Sequence, residues 1–240
     1  MALDEALMAR ARRTGEHVLR VYGWSEPTLS LGRNQRAIGV YLTAELERRG
    51  IGVVRRPTGG RALLHHREVT YSVTAPCAAD AGLTAEYSRI NLLLGSALAT
   101  LGVDVAVAAP TRRSAPPGAT PCFAEPARGE LTFGGRKLVG SAQWRHDGAL
   151  LQHGSILVDD DQASIPALMR EPVTLAGPAA TLRDALGRAP VLSEVAEALF
   201  AAVRTHLDPR ALPLEREEAL TQDTERLAIR FRDDTWTWRR

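Results

Sequence analysis

The sequence predicts an α+β fold, a mixed β-sheet flanked by helices, in one domain over residues 1–240. Three observations carry that expectation. Residues 84–101 set Ile90, Leu93, Leu94, Ala97, Leu98 and Leu101 at the three-and-four spacing of a helix with one buried face. Residues 130–158 read as β-prone runs separated by Gly134-Gly135 and by His146-Asp147-Gly148, and such dipeptides are strong hairpin signals. From Ser164 onward the chain reads as helical, with no internal repeat and no domain linker.

The elements follow in order. Residues 1–13 are rich in Ala, Leu, Glu and Arg and form a helix that Gly15 ends. Residues 17–21 and 28–31 are short strands around Trp24 and Pro27. Residues 43–49 form a short helix with Thr43 as N-cap and Gly50 as the C′ residue. Residues 53–56 are a strand, and 63–65 and 69–75 are expected to pair. Gly102 stops the 84–101 helix, and 103–107 alternates like a strand. Residues 108–121 contain four prolines, two arginines and a glycine, so they read as a loop, with Cys122 at its far end. Ser193 is expected to cap a helix over 194–206, and 215–231 is a further helical stretch.

Bulk properties exclude several function classes. Apolar residues make up 45% and charged residues 24%, the balance of a soluble globular chain. A net charge of +2 is too small to argue for nucleic acid. Arg112, Arg113, Arg128, Arg136 and Arg145 still concentrate positive charge near Cys122, either as a solvated face or as a surface that steers an acidic partner. Two cysteines, Cys77 and Cys122, make neither a disulfide framework nor a zinc quartet, and the six histidines lack metal-ligand spacing, so no metal is expected. No run approaches a membrane span, and Met1-Ala2-Leu3-Asp4-Glu5 is too acidic for a signal peptide. A cytoplasmic monomer with reduced thiols, bound to neither membrane nor nucleic acid, is the expectation.

Three segments carry chemistry. The first is Arg55-Arg56-Pro57-Thr58-Gly59-Gly60-Arg61-Ala62-Leu63-Leu64-His65. Adjacent glycines let a backbone approach a ligand, and flanking arginines suit an anion; the same dipeptide is also common turn punctuation. The second joins Cys122 to Lys137, the only lysine in the sequence. Thiols titrate near about 8.5 and ammonium groups near about 10.4, so a pair in contact favours thiolate and ammonium. Cys122 could equally be a small buried hydrophobe, and Lys137 a solvated strand residue. Cys77 has no cation close in sequence and reads as inert. The third is Leu151-Gln152-His153-Gly154-Ser155-Ile156-Leu157, a strand that sets His153 and Ser155 on one face and Gln152 and Gly154 on the other. A mid-strand glycine marks close approach of a ligand or a neighbouring backbone.

Together these segments resemble the lipoate–protein ligase and octanoyltransferase superfamily. Its order is Arg-Arg-x-Thr-Gly-Gly, then Gly-x-Lys-x-x-Gly-Ser-Ala-Gln, then Gln-His-Gly-Ser-Ile-Leu, with Gly23-Trp24 and Ser30-Leu31-Gly32-Arg33-Asn34-Gln35 upstream. The resemblance implies the fold of biotin–protein ligases and class II aminoacyl-tRNA synthetase cores. Arg61 replaces the third glycine usual in the ATP-dependent ligases. Cys122-Phe123, Pro126 and Glu130-Leu131 are instead similar to the Cys-Phe-x-x-Pro-Ser-x-Tyr-Glu-Leu of the cysteine octanoyltransferases of Gram-positive bacteria, with Ala127 and Gly129 as departures.

In that group the cysteine carries an acyl thioester and the later lysine favours its thiolate, so the resemblance makes Cys122 and Lys137 the catalytic pair. It implies substrate contacts from Arg56, Thr58, Gly59, Gly60, Arg61 and His65, from Gly140, Ser141 and Ala142, and from His153 and Gly154. Arg56, Thr58, Arg61 and His65 would shape the pocket mouth, and Leu63, Val73, Val139 and Leu151 an apolar tunnel. The implied reaction moves octanoyl from acyl carrier protein to a lysine of a lipoyl-domain protein, such as the glycine-cleavage H protein, without ATP or metal. Three alternatives stay open at this point: an ATP-dependent lipoate–protein ligase, an amidotransferase between carrier domains, and a non-catalytic carrier-binding module.

Overall fold

Helix α1 (Ala2–Thr14) ends at Gly15, which takes a left-handed conformation at φ 76° and returns its N–H to Ala11 O. The structure is a computed structural model that describes the chain apart from residues 79–81, 110–120, 124–125, 128, 172, 176, 216 and 240. Most of the expected 108–121 loop therefore lies outside the described residues. Strands β1 (Val18–Tyr22) and β2 (Thr28–Leu31) follow, then α2 (Thr43–Arg48), β3 (Gly52–Arg55), β4 (Leu63–His65) and β5 (Glu68–Pro76). Helix α3 (Leu83–Thr100) precedes β6 (Ala106–Val107), β7 (Leu131–Phe133), β8 (Arg136–Lys137), β9 (Val139–His146) and β10 (Ala149–Leu157). A 3-10 turn over Gln162–Leu168 leads to α4 (Leu182–Leu186), α5 (Leu192–His206), α6 (Glu218–Arg232) and α7 (Asp234–Thr237).

The α+β expectation holds, but the strands form three sheets rather than one. The main sheet is antiparallel, in the order β1-β5-β10-β9. A second sheet, β3-β2-β4, is the mixed one: β2 runs parallel to β3 and antiparallel to β4. A third joins β6, β7 and β8. The expected pairing of 63–65 with 69–75 does not form. His66-Arg67, the link between β4 and β5, lacks the positive-φ residues of a tight hairpin, so the chain passes from one sheet to another. The 136–145 run divides at buried Leu138, where it leaves the small sheet for the main one. Of 103–107 only the exposed Ala106–Val107 is strand.

Both hairpin signals after residue 130 are borne out. Gly134 and Gly135 have φ 56° and 73°, and Asp147 and Gly148 have 49° and 75°, the doubly positive turn that matches strand twist. Two caps are not. Helix α2 starts after Leu42, whose N–H bonds Leu168 O at 2.9 Å, so a tertiary contact sets its start and Thr43 falls inside. Helix α5 starts after Val191, whose N–H bonds the Glu194 carboxylate at 2.9 Å, and Ser193 falls inside.

The period-two alternation of β10 decides how the main sheet is covered. Ala149 and Leu151 pack on Met8 of α1. Ile156 faces the larger core, where Leu94 and Leu98 of α3 meet Val195 and Leu199 of α5. His153 and Ser155 share the α1 side with Asp4, a buried carboxylate that accepts from Arg20 at 2.6 Å and Ser72 at 2.8 Å. Burial works against the Asp4 charge, but the N-terminal ammonium and Arg20 outweigh it and hold the carboxyl down at about 2. Burial pushes His153 down to about 3, so its ring is neutral.

Two outcomes follow from this packing. A Cβ at Gly154 would lie 2.5 Å from Gly140 O and 2.6 Å from Tyr71 Cε1, so Gly154→Ala is expected to cost about 1–3 kcal/mol, read as a lower urea midpoint. The unfolded chain protonates His153 near its ordinary 6.5 while the folded chain does not, so stability falls as pH drops from 6.5 toward 4.5, above the range of the carboxylates. His153→Gln should flatten that slope in urea melts run at a series of pH values.

Candidate active site

The hairpin between β7 and β8 and the chain leading into β9 bring Lys137 beneath the Cys122 turn. Lys137 Nζ lies 3.5 Å from Cys122 Sγ and donates to Cys122 O at 2.8 Å. Its third partner is Glu130 Oε1, also at 2.8 Å. The Lys137 side chain is only 3% exposed and that of Glu130 7%. Burial by itself would drive the ammonium down. Cys122 and then Glu130 more than offset that and hold the Lys137 pKa above its ordinary value. The Phe123 ring adds a cation–π contact at 4.9 Å. Gly140 makes the packing possible, because a Cβ there would stand 3.0 Å from Phe123 and 3.1 Å from Lys137 Cε. The Cys122 N–H bonds Ala62 O at 3.0 Å, which ties the turn to the Thr58-Gly59-Gly60 loop.

That loop is braced from inside. Buried Arg56 donates to Gly59 O, to Arg61 O at 2.6 Å and to Ser30 O. Burial lowers its pKa, opposed by Cys122, so the guanidinium lies within electrostatic reach of the sulfur. Thr58 Oγ1 sits 2.6 Å from His153 Nε2 and locks the loop onto the sheet. Arg56 also donates to Ser30 Oγ at 3.1 Å, Ser30 Oγ lies 2.8 Å from His65 Nε2, and His65 Nδ1 lies 3.0 Å from Glu68 Oε1. With the proton on Nδ1, every donor in this chain points toward the Glu68 carboxylate. Thr70 and Ser155 donate to Glu68 as well. Trp24 stacks on His65 at 4.3 Å and donates to Thr70 at 2.8 Å.

The remaining expected residues divide. Gly140 and Ala142 of β9 lie opposite Ser155 and His153, on the face that carries the loop. Ser141 and Gly154 are paired on the other face, where Ser141 Oγ meets Tyr71 OH at 2.7 Å. His65 does not shape a pocket mouth. It is buried, both ring nitrogens are engaged, and with Arg56 it belongs to the layer under the loop, into which Thr58 turns its hydroxyl.

The expected tunnel lining is dispersed. Leu63 packs with Cys122 and Phe123, Val73 and Val139 belong to the main core, and Leu151 faces α1. A void of about 10 Å³ borders the turn at Pro121 and Phe123, room for no more than about one water. An open cleft of about 450 Å³ lies instead at Cys77, Arg145 and His146, about 20 Å along β9 from Gly140. Arg136 is occupied by Ala179 O and Asp184, while Arg112, Arg113 and Arg128 lie outside the described residues.

Sequence reasoning missed Glu130 as a partner of Lys137, although it stood in the quoted Glu130-Leu131 pair. It also missed Ser30 and Glu68. Ser30 opened a quoted motif, whereas Glu68 is one polar residue in a strand and carried no signal. Among the described residues no helix is long and apolar enough to cross a membrane.

Comparison with known proteins places this chain in a family. The model of the lipoyl protein ligase A/B catalytic domain matches residues 1–204. An octanoyltransferase, LipM, from Kyrpidia tusciae is 40% identical, with all of this chain and 94% of the relative covered. LipM from Symbiobacterium thermophilum is 37% identical over all of this chain and 93% of its own length. Among solved structures, a lipoate-protein ligase A bound with ATP superposes at a TM-score of 0.81 over 99% of this chain and 92% of its own, and at 22% identity that likeness speaks for the fold alone. By its sequence, which the family model matches over residues 1–204, the chain belongs to the lipoyl protein ligase A/B catalytic domain family.

Proposed function

We propose that this chain is an octanoyltransferase in which Cys122 carries the acyl group as a thioester between a carrier-protein donor and a lysine of a lipoyl domain. The observation that carries the reading is the 3.5 Å approach of Lys137 Nζ, a buried ammonium paired with Glu130, to the half-buried Cys122 Sγ. Lys137 is the cation beside the sulfur, and a cation so placed is one way to make a cysteine nucleophilic. The thiolate attacks the donor thioester, forms the Cys122 S–acyl bond and expels the carrier thiolate, which takes a proton from solvent. One thioester replaces another, so the step is nearly balanced and calls for no nucleotide. The acceptor lysine, as free amine, then attacks the acyl carbon. An amide forms, the Cys122 S–acyl bond breaks, sulfur returns as thiolate beside Lys137, and the amine proton leaves to solvent.

The acyl chain must find its place by parting side chains at the turn, where Leu63, Phe123 and Leu157 are packed. Each buried methylene contributes about 0.8 kcal/mol, enough for pocket depth to sense chain length. A thiol nucleophile that must stay reduced suits the cytoplasm.

Intact-mass spectrometry after mixing with octanoyl-carrier protein should show an adduct on the wild-type chain and none on Cys122→Ala; an adduct that persists in the variant removes Cys122 from the role. Lys137→Met should slow iodoacetamide alkylation of Cys122 at neutral pH by about tenfold or more, and an unchanged rate argues against the pairing. Octanoyl-carrier protein without nucleotide should modify a lipoyl domain, whereas free octanoate with ATP should not; the opposite result makes the chain a ligase.

A further inference from the structure

We propose that Glu130 is a safety catch on Lys137: by pairing with the ammonium it keeps this amine from taking the acyl group off Cys122. The inference rests on the Cys122 thioester proposed above.

It starts from a hazard built into the site. Lys137 Nζ lies 3.5 Å from Cys122 Sγ, so an acyl carbon bonded to that sulfur would sit one bond away from the atom that the amine already touches. Transfer inside the site would form a bond from Lys137 Nζ to the acyl carbon and break the bond from Cys122 Sγ. The amine proton would pass to sulfur, leaving a thiol and an amide. The amide is far more stable than the thioester, so the enzyme would stop. Only a neutral amine has the lone pair for this step.

Acylation itself pushes Lys137 toward that neutral form. In the free enzyme Cys122 and Glu130 both favour the charged form of Lys137. The thioester takes away the contribution of the sulfur, while the burial of Lys137 continues to favour the uncharged amine. What remains is Glu130 Oε1 at 2.8 Å, held in place by the Ala127 N–H on Oε2 at 2.7 Å. Among the described residues no other carboxylate pairs with Lys137. The Cys122 carbonyl accepts from amine and ammonium alike and cannot select between them. The other titratable groups that feel this cluster are Arg56, a cation, and Tyr71 and Tyr87, phenols whose pKa burial raises. None can stand in for the carboxylate. Glu130 is thus a positioning residue that acts through Lys137.

Lys137 is the only lysine in the sequence, so an acyl-lysine amide reports on one position. Wild-type chain, Glu130→Gln and Glu130→Asp would be incubated with octanoyl-carrier protein without acceptor, treated with hydroxylamine, and mapped by peptide mass. Wild type should hold a hydroxylamine-labile adduct on Cys122 and an unmodified Lys137. Glu130→Gln should accumulate a hydroxylamine-resistant octanoyl group on Lys137 at least about tenfold faster, since each unit lost from the ammonium pKa raises the free amine about tenfold. Its turnover should die within a few cycles. Glu130→Asp should restore the labile adduct, and adding Lys137→Arg to Glu130→Gln should abolish the resistant one. Only labile adduct and sustained turnover in Glu130→Gln would overturn the inference. If Glu130→Gln does not fold, Glu130→Asp is followed as pH is raised: resistant adduct should appear at lower pH than in wild type, and appearance at the same pH overturns the inference. A wild type with no adduct on Cys122 sinks the thioester reading itself, and this inference with it.

Discussion

A single buried ammonium organises this molecule. Lys137 is enclosed by protein, and a charge so placed persists only where partners repay its lost hydration. Its partners come from separate pieces of chain: Glu130 just before β7, Cys122 at the end of the proline-rich stretch, and the Phe123 ring beside it. Each must be in position for the charge to be tolerated. The pairing therefore fixes the β7–β8 hairpin, the start of β9 and the Cys122 turn relative to one another. It also explains the small residue at Gly140, where a side chain would collide with Lys137 and Phe123.

A second buried acidic side chain performs the same service for the Thr58-Gly59-Gly60 loop. Glu68 lies beneath it and receives His65, Thr70 and Ser155. The hydrogen bonds that reach it run in one direction, from Arg56 through Ser30 and His65. Arg56 spends its other donors on the carbonyls of Ser30, Gly59 and Arg61. A loop with two glycines has large conformational freedom, and this bracing removes it. The neutral His153 adds a tie from the sheet through Thr58.

The family's fold serves more than one chemistry. The ATP-bound ligase shares the architecture at low identity, whereas the relatives close in sequence are octanoyltransferases. Fold and function are separable in general, so the shared architecture does not by itself choose between the two.

Much of the fold was legible along the chain. The face of α3 followed from apolar spacing, and the hairpins at Gly134-Gly135 and Asp147-Gly148 from residues that accept positive φ. The division of His153 and Ser155 from Gln152 and Gly154 followed from the period of a strand. These features are local, or repeat a local pattern, so neighbouring residues suffice to set them. The contact of Cys122 with Lys137 joins separate pieces of chain, and only the resemblance to a family pointed to it. What only the tertiary structure decided are the choices that depend on distant chain. Strand β4 joined β2 rather than β5, Leu42 rather than Thr43 began a helix, and His65 went under the loop instead of to its rim. The carboxylate that completes the Lys137 site belongs with them. The reason is the same in each case: an amide, an imidazole or a carboxylate leaving water must be satisfied by whatever the closed fold places beside it, and that neighbour is not written in the adjacent sequence.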